Sequence, residues 1–204
     1  GEKVWDTGIE FGTVSAIRHG ETVEITTFRS DLYDGVTRNP EVTFGDTLEG
    51  DLIRRDFACN AMAIELSLND ELRLSPTFHD PVDGLSDLVE QVLDTPQEPE
   101  VSFRDDPLRM LRAARFVSQL GFTVADRVFD AMCDMAGEIG RITAERVQAE
   151  LDKLMLGARP WEGIDLLVST GVASYILPEI PALQLETDEH MQHKDVYRHS
   201  LTVL

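Results

Sequence analysis

The 204-residue sequence lacks any apolar run near the roughly 18 residues that a membrane span needs. Its opening, GEKVWDTG, has neither the basic nor the apolar region of a signal peptide. A soluble, cytoplasmic chain without a membrane partner is the expectation. Cysteine is nearly absent: Cys59 and Cys133 stand far apart with no CxxC and no histidine at ligand spacing, which excludes a disulfide scaffold and fits a reducing compartment. Basic residues are scarce, 18 Lys and Arg against 38 Asp and Glu, so the net charge of −20 opposes nonspecific attraction to nucleic-acid phosphates. Any nucleic-acid role must use a local basic patch or basic residues outside these positions. Also missing are GxxxxGK[ST], GxGxxG before a helix, HExxH and Gly-x-Ser-x-Gly, which removes the anchors of P-loop, dinucleotide-binding, zincin and serine-hydrolase chemistry.

What is present is ordinary globular composition, 42% hydrophobic and 27% charged, in a chain long enough to bury roughly 70% of its unfolded surface. Near the start, Ile9, Phe11 and Val14 lie in one run and Val23, Ile25 and Thr27 alternate in another. His19-Gly20 between them predicts a hairpin turn. Residues 31–51, rich in Gly, Asp, Asn and Pro, read as a polar loop. DPVDGLSDL (80–88) reads as a turn entering a helix.

After the acidic link DTPQEPE (94–100) strand signals stop and helical ones begin. One helix is expected over 106–120, with Pro107 in its first turn and Gly121 as its stop. Val128, Phe129, Met132, Met135, Ala136 and Ile139 predict one face of a second. A third runs from the Thr143 cap to Gly157, and Pro160 and Gly171 frame a fourth. The result is a small α/β part followed by helices, with the boundary near 95–104.

Two local patterns stand out. In helix 106–120, Asp106, Arg109, Arg112 and Arg115 recur every three residues, and no acid occurs from Pro107 to Ala125. At 100° per residue the arginines cover an arc of roughly 120° along about 9 Å of axis. Met110, Ala113, Val117 and Leu120 take the opposite, core-facing arc, while Leu108 and Phe116 share the arginine arc. A solvated face with ion pairs is the bland alternative; a surface that grips a ligand bearing phosphate and base is the sharper one. In RRDFACNAMA (54–63), Asn60 is the one polar residue between Phe57 and Ile64, and a buried amide needs specific partners. Asn60 and Asp56 either pin this turn's backbone or line a charged-ligand pocket.

RRDFACNAMA, DPVDGLSDL, DDPLRMLRAARF and RITAERVQAEL (141–151), in that order, resemble the motifs of the class II tRNA nucleotidyltransferase and bacterial poly(A) polymerase family, within the polymerase-beta-like nucleotidyltransferases. The likeness runs from about Thr7 to Glu189 and includes VEITTFR (23–29); the overall cast is similar to actinobacterial CCA-adding enzymes. The resemblance implies an α+β fold: a partial nucleotidyltransferase head with a short β-hairpin or sheet (1–95), then a helical neck with the nucleotide-recognition helix (96–157) and a helical body segment (158–188). It implies nucleotide contacts from Arg55, with Asp56 and Asn60 in the same wall. The family's Glu-Asp-x-x-Arg element falls on Asp105, Asp106 and Arg109, its first position shortened to Asp105. Arg112 and Arg115 match further nucleotide-contacting arginines, and Arg146 and Glu150 match a motif that stiffens the neck.

Such transferases hold Mg²⁺ on an Asp-x-Asp strand beside a Gly-rich turn, and neither feature occurs here. The Mg²⁺ ligands are therefore expected upstream of Gly1, and the 204-residue piece is expected to be inactive alone. Glu24 aligns with the superfamily's third carboxylate, against the plain reading of one more exposed strand Glu. His190, His193, Asp195 and His199 resemble the opening of an HD-type domain (189–204), and no metal site is expected within the chain. The implied activity is template-independent addition of CCA to tRNA 3′ ends from CTP and ATP. Bacterial poly(A) polymerase, a noncatalytic nucleotide- or RNA-binding module and an HD phosphohydrolase are the alternatives.

Overall fold

The computed structural model describes residues 3–8, 12–32, 41–44, 47–69, 73–185 and 196–203. The chain forms two compact units, residues 1–54 and 55–204. The fold is α+β.

In the first unit, β1 (Lys3–Gly8), β2 (Thr13–Arg18) and β3 (Glu21–Thr26) form an antiparallel sheet in that order. The expected hairpin is β2–β3. His19 (φ 54°) and Gly20 (φ 80°) both take positive φ, the two-residue turn whose twist matches that of the strands. Ile9 and Phe11 lie outside the described residues. Val23 and Ile25 are 50% and 65% exposed, so they form no core side from which Glu24 could face away. Among the described residues no element covers that face of this edge strand, and all of β3 is exposed. The segment 31–51 is more than a loop. A second hairpin pairs β4 (Arg29–Leu32) with β5 (Glu41–Phe44), and α1 (Leu48–Ile53) follows, its Gly50 amide donating to Thr47 Oγ1 at 3.2 Å. Strands of four residues are too short to stand out against the turn-forming residues around them.

The second unit opens on a 3-10 turn (Ala58–Asn60), then the hairpin β6 (Ala63–Leu68) and β7 (Leu74–His79). The turn before α2 (Gly84–Glu90) is closed by Asp80, whose carboxylate accepts from the Gly84 and Leu85 amides at 2.7 and 2.9 Å. β8 (Val92–Leu93) pairs in parallel with β9 (Thr123–Val124), a two-residue strand that carries no periodic signal and was not expected beyond residue 100. Between them the chain makes two helices, α3 (Pro99–Asp105) and α4 (Leu108–Leu120), broken at Asp106-Pro107. Gly121 (φ 69°) ends α4 in the left-handed conformation that glycine adopts most easily. Next come α5 (Asp126–Met135), which tightens into a 3-10 turn (Ala136–Arg141) where one longer helix was expected, and α6 (Ala144–Met155). They lead to α7 (Pro160–Ser169), α8 (Ala173–Ile176), α9 (Glu179–Ala182) and α10 (Val196–Val203).

The core gathers around α4. Met110, Leu111, Ala113 and Ala114 are fully buried with Phe57, Leu93, Phe103, Met132 and Leu154. Because neighbours close on more than one side of α4, Leu108 is also buried, although it shares the arginine arc, while Leu120 in the last turn is half exposed. The small residue Gly163 lets α7 approach closely: a Cβ there would stand 2.6 Å from the Ala114 carbonyl oxygen and 3.1 Å from the Leu154 side chain. Gly163→Ala should therefore cost about 1–3 kcal/mol of stability despite alanine's better helix propensity. Gly140→Ala, with nothing within 4 Å, should be nearly neutral. Urea unfolding of both variants checks the pair.

Candidate nucleotide-binding site

The site is built where α4 meets the turn that follows Arg55. The break at Asp106-Pro107 is closed by Asp106 itself, whose Oδ1 accepts from the Leu108 amide at 3.2 Å. Its other oxygen, Oδ2, accepts from Arg146 of α6 at 3.0 Å. Arg109, one turn on, donates from Nη1 to Ser102 Oγ of α3 at 2.7 Å. Asp106 and Arg109 are thus brought together, each held by a residue from another helix. Asp105 is the last residue of α3.

Arg112 and Arg115 also meet counter-charges from outside α4, so the acid-free run in the sequence does not leave them unpaired. Arg112 Nη2 pairs with Asp56 Oδ2 at 2.5 Å, and Arg115 Nε with Glu150 Oε2 of α6 at 3.0 Å. Both contacts lie within ion-pair distance but miss hydrogen-bond alignment. Asp56 Oδ2, Glu150 Oε2 and the Nε atoms of both arginines are buried without a hydrogen bond. The attraction depends on distance rather than angle, so the charges are still compensated. Phe116 lies under both guanidinium groups, 4.4 Å from Arg115 and 5.9 Å from Arg112, and meets Phe57 edge-on at 5.6 Å. Burial lowers the pKa of Arg115 from its ordinary value; Glu150 opposes this, and the like charge of Arg112 reinforces it.

The turn after Arg55 corrects one expectation. Asn60 is exposed, and the buried polar residue is Asp56. Asp56 Oδ1 accepts from the Phe57 amide at 3.0 Å and from Asn60 Nδ2 at 3.1 Å, which fixes the carboxylate that faces Arg112. The 3-10 turn points Asn60 outward and leaves its amide to brace Asp56. Arg55 is exposed beside them. Neighbouring Cys59 has its thiol pushed up to about 11, chiefly by burial and also by Asp56 and Asp87.

Glu24 stands in β3 opposite Ser15. His199 is exposed on α10, while His190, His193 and Asp195 lie outside the described residues. Among the described residues no three His, Cys, Asp or Glu side chains gather as metal ligands. None of the expected site residues lines the cavity of about 430 Å³ formed by Trp161, Glu162, Asp165, Arg198, Leu201 and Thr202.

The family profile described as "Poly A polymerase head domain" matches residues 2–94, and "Probable RNA and SrmB-binding site of polymerase A" matches residues 121–183. A CCA-adding enzyme of Pediococcus pentosaceus is 39% identical over 175 residues, 85% of this chain and 42% of the relative. The chain belongs to the poly(A) polymerase and tRNA nucleotidyltransferase family.

Another member, a CCA-adding enzyme of Geobacillus thermodenitrificans, is 38% identical over 197 residues, 96% of this chain and 46% of the relative. Among solved nucleotidyltransferases, the Bacillus stearothermophilus CCA-adding enzyme in complex with CTP matches with a TM-score of 0.70 and 35% identity, covering 85% of this chain and 40% of its own. A tRNA nucleotidyltransferase complexed with a primer tRNA and an incoming ATP analogue matches with a TM-score of 0.68 and 28% identity, covering 99% of this chain and 59% of its own. The chain spans roughly two fifths of the curated relatives it matches.

The sequence of this family member singles out the arginines and Asp106, whereas Ser102, which carries no periodic or charge signal, joins them only in the structure. Arg146 and Glu150, expected to be structural, hold Asp106 and Arg115. Removing the buried counter-ion with Glu150→Ala should cost about 3–5 kcal/mol, because Arg115, 13% exposed, would keep an uncompensated charge. Arg146→Ala removes an exposed partner and should cost at most about 1 kcal/mol. Chemical unfolding of both variants gives the comparison.

Proposed function

We propose that this chain selects and orients the incoming nucleotide in a template-independent nucleotidyltransferase that adds CCA to tRNA 3′ ends from CTP and ATP. The observation that carries the reading is the anchored pair Asp106 and Arg109, an acceptor and a donor one helical turn apart. Cytosine offers its N4 amino donor beside the N3 acceptor, and adenine its N6 amino donor beside N1. Both match a carboxylate next to a guanidinium. Uracil and guanine present the reverse order, so a wrong base would leave desolvated groups facing like partners.

In this reading Arg55 and Arg112 meet phosphate or sugar and carry no base information. Asp56 and Asn60 hold the wall that presents Arg112, and Asp105 ends the helix that leads into the pair. Arg115, more enclosed than Arg112, contributes by holding Phe116 and α6 in place. The CTP complex of one relative and the ATP-analogue complex of another support CTP and ATP as ligands and tRNA as partner. The same reading carries a cytoplasmic location; among the described residues no helix is long and apolar enough to cross a membrane.

Mg²⁺ is the cofactor that nucleotidyl transfer of this class implies. Among the described residues no three possible ligands gather to hold it. The contribution read from this chain is recognition of the nucleotide.

Poly(A) polymerase is the second reading, favoured by the descriptions of both matching profiles. Incubating the intact protein with tRNA lacking its 3′ end and with each nucleotide separately and together, then sequencing the products, decides between them. The expected product is C, C, A in order. A run of A indicates the polymerase, and no extension by any nucleotide leaves a binding module.

A further inference from the structure

Ser102 lies in α3, outside the motif residues that carried the resemblance, and its side chain is 1% exposed. Its Oγ accepts from Arg109 Nη1 at 2.7 Å, a charge-assisted hydrogen bond. In an unbroken helix the two residues would stand two turns, about 10 Å, apart. The chain instead breaks at Asp106-Pro107, where Asp106 takes an extended conformation (φ −141°, ψ 97°) before α4 begins at Leu108. Arg109 can therefore turn back onto the end of α3. A long arginine side chain gains most from such a fixed acceptor, because holding it in one rotamer otherwise costs conformational entropy.

We propose that Ser102 is a positioning residue for nucleotide selection: its buried hydroxyl fixes the Arg109 guanidinium in the orientation that meets the base edge. The proposal rests on Arg109 reading the base, and it adds a residue that touches no ligand itself. Asp106, held by Arg146 and the Leu108 amide, keeps its own support when Ser102 is changed. Loss of the serine hydroxyl thus removes one buried anchor from the donor half of the pair and leaves the acceptor half in place. The expected signature is lost selectivity with little loss of fold.

The test measures Kd of the intact protein for CTP, ATP, UTP and GTP in wild type, Ser102→Ala, Arg109→Ala and the double variant, with thermal unfolding of each. Alanine suits a helix, so Ser102→Ala should unfold within a few degrees of wild type. It should narrow the preference of CTP over UTP, and of ATP over GTP, about tenfold. The double variant should match Arg109→Ala within about twofold, because Ser102 acts through Arg109. Ser102→Thr, which keeps the hydroxyl, should retain most of the preference. If Arg109→Ala abolishes the preference while Ser102→Ala keeps the wild-type ratio, the positioning role is wrong and base reading by Arg109 stands. If Arg109→Ala itself keeps the wild-type ratio, base reading fails and the role of Ser102 fails with it. Equal weakening of all four nucleotides by Ser102→Ala, with the ratios unchanged, also overturns the proposal.

Discussion

A helix that carries a stripe of arginines can join a protein interior only if the enclosed charges are met, and in α4 those of Arg112 and Arg115 are met from elsewhere in the chain. Asp56 from the turn after Arg55 faces Arg112, and Glu150 of α6 faces Arg115. Both carboxylates are buried, and removing Glu150 would leave the enclosed Arg115 without its counter-charge. The pairs join the first turn of the second unit, α4 and α6 into one framework. Phe116 and Phe57 fill the space beneath the guanidinium groups. The packing of α7 against the other side of α4, allowed by Gly163, fixes the helix from behind.

This framework leaves α4 with graded tasks along its length. At its C-terminal half Arg115 is enclosed and stabilises the fold. In the middle Arg112, 36% exposed, has a partner inside and reach outside. At the N-terminal end Asp106 and Arg109 are braced by Arg146 and Ser102, side chains that set their direction. Preorganisation of this kind suits an enzyme that must select nucleotides without a template, since the protein alone then supplies the hydrogen-bond pattern that a paired base would otherwise provide. The net charge of −20 accords with the proposed role, which calls on a few compensated arginines of α4.

The parts legible in the sequence were those set by local chemistry. The Thr143 cap and Gly157 stop bracket α6 closely, and Pro160 opens α7, because caps and breakers act within a few residues. The arginine stripe was visible as a gap in an otherwise acidic chain. Its partners were not, since Asp56 and Glu150 reach α4 only through tertiary contact. Asn60 departs from its sequence signal for a related reason: an amide inside an apolar run reads as buried, yet the 3-10 turn faces it outward and Asp56 is the buried residue. The strands β4, β5 and β9 are two to four residues long, below the length at which alternation can be recognised. Ser102 became significant only through the helix break that brings Arg109 back to it.

The most direct test of the account is a structure of the intact protein with bound CTP. The account predicts the cytosine edge within hydrogen-bond distance of the Asp106 carboxylate and the Arg109 guanidinium, the triphosphate toward Arg55 and Arg112, and Arg115 still on Glu150. CTP bound elsewhere, or bound with its base away from Asp106 and Arg109, would contradict it.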